Sequence, residues 1–161
     1  MKMLYKYPQH TFPYEDLVET NRQRGKQGFE YELFDTGIFN ENRYFDVFVE
    51  YAKADEDDIL IRITAFNRGP EAGDLYILPT LWFRNTWSWG WEHDKMERPS
   101  LRESSSGKNV KWMEVNHATL GKYLFACENA DVLLFTENET NSERLFGSPN
   151  ATLYLKDAFH E

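Results

Sequence analysis

Arg43-Tyr44-Phe45-Asp46-Val47-Phe48-Val49-Glu50-Tyr51 repeats with a period of two. In an extended chain Phe45, Val47, Val49 and Tyr51 fall on one side, while Asp46 and Glu50 alternate with Tyr44 and Phe48 on the other. Successive side chains of a strand point to opposite faces, whereas a helix repeats every 3.6 residues, so the stretch predicts a half-buried strand. Ile59, Ile61, Ile63 and Ala65 form a second such row, with Arg62 and Thr64 opposite. Between the two rows lies Asp55-Glu56-Asp57-Asp58. A calcium loop would space its carboxylates alternately around a glycine, and this run has none, so it predicts a solvated hairpin turn.

Working outward, Phe29, Tyr31 and Leu33 against Glu30 and Glu32 read as another half-buried strand. From Asp74 the chain is almost continuously apolar through Leu75, Ile77, Leu78, Leu81, Trp82 and Phe83, the pattern of a strand covered on both faces. A polar loop is expected from about 92 to 109, then strands around 110–115, 122–127 and 132–136. The helix expectation is confined to the segment after Pro13, with Glu15 and Asp16 in its first turn, Arg22 and Arg24 in its last and Gly25 to close it. Many short strands joined by turns, with one short N-terminal helix, predict a mainly β fold. The expected form is an antiparallel β-sandwich in a single domain, 1–161.

Composition narrows the partners. At 161 residues, with 41% hydrophobic and 16% aromatic content, the chain is long enough for one domain with an aromatic-rich core. A formal net charge of -9 repels phosphate backbones and anionic headgroups, so neither nucleic acid nor a membrane surface is expected as a partner. Cys127 is the only cysteine; an intramolecular disulfide is therefore impossible, and its apolar neighbours predict a core thiol. No apolar run approaches the roughly 20 residues of a membrane span. The start Met1-Lys2-Met3-Leu4-Tyr5-Lys6 lacks the apolar stretch of a secretion signal, so a cytoplasmic protein or a cut chain is expected.

Pro79-Thr80-Leu81-Trp82-Phe83-Arg84-Asn85-Thr86-Trp87-Ser88-Trp89-Gly90-Trp91-Glu92 holds four of the five tryptophans. Trp87, Trp89 and Trp91 would point one way if the segment stayed extended, as core, as a docking face, or as the wall of a sugar cleft. Trp82, Arg84 and Asn85 join them as candidate binding or docking residues. Polar groups inside an aromatic run need partners when buried, such as a sugar hydroxyl or a neighbouring domain's carboxylate. Catalytic patterns are poor by comparison. His10, His93, His117 and His160 are scattered without metal-ligand spacing. Ser104-Ser105-Ser106-Gly107-Lys108-Asn109 lacks the first glycine and the hydroxyl residue of a phosphate loop, and no serine sits in a glycine-flanked elbow. Glu92, Asp94 and Glu97 lie beside the tryptophans, but an acid/base pair needs a set separation across a sugar and one raised pKa. No catalytic residue, metal or cofactor is assigned.

Several motifs together resemble a known family. Tyr7-Pro8-Gln9, Phe12-Pro13-Tyr14, Phe34-Asp35-Thr36-Gly37-Ile38-Phe39, Arg43-Tyr44-Phe45-Asp46-Val47, Glu50-Tyr51-Ala52-Lys53-Ala54 and Asn67-Arg68-Gly69-Pro70-Glu71 carry the first half of the likeness. Leu78-Pro79-Thr80-Leu81-Trp82-Phe83-Arg84-Asn85-Thr86-Trp87-Ser88-Trp89-Gly90, Glu143-Arg144-Leu145-Phe146-Gly147 and Lys156-Asp157-Ala158-Phe159-His160 carry the second. They resemble the N-terminal part of large bacterial glucosidases similar to family-63 glycoside hydrolases, the mannosyl-oligosaccharide glucosidase group. The resemblance implies a supersandwich-like β region that precedes an (α/α) toroid catalytic domain. It also implies an internal start at Met1, cut boundaries at both ends, and a general acid and base that belong to the toroid. The expected role is a non-catalytic accessory domain whose partner is the catalytic domain of the same parent chain. Oligosaccharide is a further expected partner, as is weak self-association through a patch that includes part of Trp82 to Trp91. The alternative is an autonomous carbohydrate-binding module that uses the same indoles.

Overall fold

A computed structural model describes residues 1–88, 98–107 and 109–157. The mainly β class expected from the alternation is what forms: two three-stranded antiparallel sheets, each with its strands in chain order. They belong to two compact units, Met1–Leu78 and Pro79–Glu161.

In the first unit β1 (Lys2–Pro8), β2 (Tyr44–Asp55) and β3 (Asp58–Asn67) form the sheet, with β2 in the centre. The acidic run is a tight hairpin turn in which Asp55 pairs with Asp58 and the Asp55 carboxylate accepts the Glu56 N–H at 2.8 Å. The register places Met3, Val49 and Ile63 in one row, Tyr5, Val47 and Ala65 in the next, and Tyr7, Phe45 and Asn67 in a third, all on one face. The opposite face carries Lys2, Glu50 and Arg62, then Leu4, Phe48 and Thr64, then Lys6, Asp46 and Phe66.

That second face is not a plain solvated surface. Asp46 is buried and takes Lys6 Nζ from β1 at 2.9 Å and Nε of Arg68, just past β3, at 2.7 Å. The Lys6 hydrogen bond holds its carboxyl below the ordinary carboxylate range against the opposing cost of burial, and Arg68 adds to the effect. Four residues on, Glu50 accepts Arg62 at 2.8 and 3.0 Å and pairs with Lys2 at 3.3 Å. The cations also lie over rings: Lys6 over Tyr44 at 3.9 Å, Lys2 over Phe48 at 4.9 Å and Arg68 over Phe66 at 5.2 Å. At the end of the sheet the Asn67 amide accepts from Gln9 at 2.7 Å and from the Gly69 N–H at 2.8 Å. A β-carbon at Gly69 would stand 2.6 Å from Gln9 Oε1, so a side chain there would displace the Gln9 amide.

Helix α1 (Tyr14–Arg24) forms where expected and closes at Gly25, whose φ is 65°. None of its residues is buried. The strand expected over 29–33 does not form, and Asn21 supplies the reason. Its side chain donates to the Tyr31 carbonyl at 2.9 Å and accepts the Tyr31 N–H at 2.8 Å, taking both groups a strand ladder would use. Leu33–Thr36 then turns as a 3-10 helix inside a Glu32–Asp35 capping box.

The second unit is built on β4 (Ser100–Ser106), β5 (Val110–His117) and β6 (Gly121–Glu128), followed by the short helix α2 (Ser142–Phe146). Strand β4 lies inside the region expected to be a polar loop, where the Arg102–Glu114 pair at 2.8 Å links it to β5. Conversely, the apolar run 74–83 and the segment 132–136 are irregular rather than strands. Apolar side chains do not make a strand unless a partner offers its ladder, and neither run is joined to either of the two described sheets. Cys127 is half-buried rather than core. Near the end of the unit, buried Asn141 accepts the Arg144 N–H at 3.1 Å and donates to Asp157 at 3.2 Å, which caps α2 and ties down the chain after it.

Among the described residues the buried apolar set is Ile38, Phe45, Met113 and Val115, and no large side chain is fully enclosed. Asp46 therefore matters to stability more than a surface charge would. Asp46→Ala is expected to cost about 1.5–3 kcal/mol, the range for hydrogen bonds to charged groups. Because the folded-state pKa is depressed, this stabilisation is present above the unfolded carboxylate pKa and lost as the pH falls through the folded value. Urea unfolding of both proteins between neutral and strongly acid pH should show the two curves converging at the acid end.

Candidate functional site

The described part of the tryptophan segment, up to Ser88, belongs to the second sheet's own unit. Trp82 is 84% exposed, and the backbone runs irregularly to a single 3-10 turn at Thr86–Ser88. Phe83 is half-buried and stacks at a tilt on His117, the last residue of β5, with ring centroids 4.9 Å apart. His117 Nδ1 accepts the backbone N–H groups of Thr119 and Leu120, each at 3.2 Å, so a neutral His117 carries its proton on Nε2. Trp87 is half-buried beneath the Arg98 guanidinium, 5.9 Å from the ring, and Arg98 is itself ion-paired with Glu137. Arg84 is exposed and Asn85 half-buried. Trp89 and Trp91, with Glu92, Asp94 and Glu97, lie outside the described residues.

The segment thus places one indole in water and sets one ring against a histidine and another under a guanidinium. Of the stripe expected from Trp87, Trp89 and Trp91, Trp87 sits in the 3-10 turn, and the other two lie outside the described residues.

A larger feature, with no motif to announce it, is the apolar face of the first sheet. Val47, Val49 and Ile63 on it are half-buried, while around them Met3, Tyr5, Tyr7, Tyr51, Ile59 and Ile61 are exposed, Tyr5 at 55% and Ile61 at 49%. At the end near Phe45, Gly73 comes close to the Phe45 ring. The signal was present in the sequence as the alternation of Met3, Tyr5 and Tyr7 with Lys2, Leu4 and Lys6, which pairs with that of β2.

Chemistry-bearing clusters are sparse. Among the described residues no group of three or more His, Cys, Asp or Glu could hold a metal ion. Among the described residues the carboxylates with shifted affinities, Asp46, Glu50 and Glu114, are pushed down, first by hydrogen bonds from Lys6, Arg62 and Arg102 respectively. A general acid needs the opposite shift. Two surface depressions, of about 380 and 530 Å³, lie by Asn109 to Lys111 and by Glu143 to Leu155, and no described residue of the aromatic segment lines either. No described helix is long and apolar enough to cross a membrane.

No family model and no solved structure matches the chain. It is similar to the Saccharomyces cerevisiae protein named "Uncharacterized protein YMR196W", at 36% identity over 193 aligned residues. The alignment takes in all of this chain and 18% of the yeast protein, so the chain spans less than a fifth of that relative's length.

Exposure sorts the aromatic residues into two classes that mutation will separate. Trp82→Ala should leave stability within about 0.5 kcal/mol of the parent, whereas Trp87→Ala and Phe83→Ala should each cost about 1–3 kcal/mol because each ring is packed on one side. Thermal unfolding of the three variants checks the order.

Proposed function

We propose that the chain is a non-catalytic accessory region of a glucosidase-like glycoside hydrolase, located in the cytoplasm. In this reading it packs against a catalytic domain of the same polypeptide and helps to shape that domain's sugar cleft. The observation that carries the reading is the open apolar face of the first sheet. Strands about 4.8 Å apart with about 3.3 Å per residue give the face roughly 300 Å². At about 25 cal/mol per Å², covering it is worth roughly 7 kcal/mol.

Size decides what covers it. Two copies meeting through this face would bury roughly 600 Å² in total, about half of what a stable free-standing interface needs. A covering domain on the same chain has already lost most of its freedom of translation, so a face of this size suffices for it. Self-association of the isolated chain is accordingly weak. The motif resemblance to the N-terminal part of large glucosidases supports this assignment, and so does similarity to a much longer yeast protein.

A second reading, an autonomous carbohydrate-binding module acting through the Trp82–Trp91 cluster, is favoured by one observation: Trp82 holds its indole in water, with the exposed Arg84 two residues away.

The isolated chain should show no turnover of aryl glucosides or α-linked disaccharides, while the parent protein does. Ile61→Thr should leave the unfolding of the isolated chain nearly unchanged and lower the melting temperature of the parent by several degrees. Turnover by the isolated chain that disappears in Glu92→Gln would replace the accessory reading with a small hydrolase.

A further inference from the structure

The outer face of the second sheet holds a grouping that no motif marked. On central strand β5, Trp112, Glu114 and Asn116 share one face. Trp112 is 37% exposed, and both of its cross-strand neighbours are small: Ala126 on β6 and Ser105 on β4. Ser105 reaches that position because the register shifts between Glu103 and Ser105. Such a bulge re-aims side chains and is frequent beside functional sites. The next row, about 6.6 Å along, is Arg102, Glu114 and Leu124, and the row after it is Ser100, Asn116 and Lys122. Leu124 is 64% exposed, and Arg102 and Lys122 also face solvent, so these rows are accessible at both edges of β5.

We propose that this face is a binding platform for one pyranose ring of a neutral glycan, stacked on Trp112 and read by Arg102, Glu114 and Asn116. The proposal goes beyond the accessory role, since it uses another sheet and other residues and does not depend on what covers the first. Three features favour this ligand. An indole whose two cross-strand neighbours are as small as alanine and serine is not walled in by them, which suits stacking against the C–H face of a sugar ring. The adjacent row is balanced in charge: Arg102 Nη2 donates to Glu114 Oε1 at 2.8 Å, and Asn116 Nδ2 donates to the same oxygen at 3.3 Å. That arrangement leaves guanidinium donors and the second carboxylate oxygen for a ligand. A hydroxyl both donates and accepts, and so matches a rim containing both; a phosphate would meet the Glu114 carboxylate, and a purely apolar ring would leave the rim unused. The Arg102–Glu114 pair also orients both side chains before any ligand arrives.

The test is a titration of the 161-residue chain with maltotetraose, cellotetraose and mannotetraose. It follows the five tryptophan indole N–H signals by NMR, with Trp112 assigned by its loss in Trp112→Phe. At least one sugar should move the Trp112 signal with a dissociation constant in the millimolar range or tighter. Trp112→Ala should abolish binding, Trp112→Phe should retain part of it, and Arg102→Ala should weaken it by about tenfold, or about 1.4 kcal/mol. Arg102 is exposed, so its variant keeps the test valid should Trp112→Ala fail to fold. The proposal is overturned if the Trp112 signal stays still up to about tenfold above the millimolar range. It is equally overturned if binding shifts only other tryptophans, or if Arg102→Ala binds as well as the parent.

Discussion

The Asp46 carboxylate is the point at which the strands of the first sheet are tied together. It sits buried on central strand β2, with an ammonium from β1 on one oxygen and a guanidinium from beyond β3 on the other. A buried carboxylate left without such partners would be costly, so the fold holds Lys6 and Arg68 in place as firmly as they hold Asp46. Register follows. A slip of one residue in β1 would turn Lys6 to the other face and bring Tyr5 or Tyr7 against the carboxylate. The cations over Tyr44, Phe48 and Phe66 bind the same face further.

A register fixed from one side fixes the other side too. Met3, Tyr5, Val47, Val49, Ile61 and Ile63 are held on one face as an apolar array, of which Met3, Tyr5 and Ile61 stay exposed. A three-stranded sheet with one face tied down by ion pairs has no second layer of its own to spend on the other. This is the physical content of the proposed accessory role: the sheet offers an exposed apolar face that a covering domain would bury. The second sheet solves the problem differently. It buries Met113 and Val115 on one side and keeps a mixed aromatic and polar face on the other.

Much of this was legible in the chain, and the failures are instructive. The period of two in 43–51 and 59–65 specified β2 and β3, the turn between them and the mainly β class, because alternation reports burial directly. The charges around Pro13 and Gly25 marked α1. By contrast, 29–33 alternates as well as β2 does and forms no strand, since one asparagine ten residues earlier takes both backbone groups of Tyr31. The serine-rich β4 has no hydrophobic period and pairs through its backbone ladder, helped by Arg102. Burial of Asp46 was invisible for a similar reason: the cations that permit it come from 40 residues before and 22 after. As for the candidate site, the sequence drew attention to the tryptophan-rich run and passed over Trp112, whose importance comes from small neighbours on two other strands.

The central claim is that the apolar face of the first sheet is covered by another part of the same polypeptide. The most direct measurement places a thiol on it as Ile61→Cys, with Leu4→Cys on the opposite face as control and Cys127→Ser in the background. Labelling rates are then compared between the 161-residue chain and the intact parent protein. The account predicts rapid labelling at position 61 in the isolated chain and strong protection in the parent, with position 4 serving as the internal standard. Equal, rapid labelling of position 61 in both proteins would contradict it.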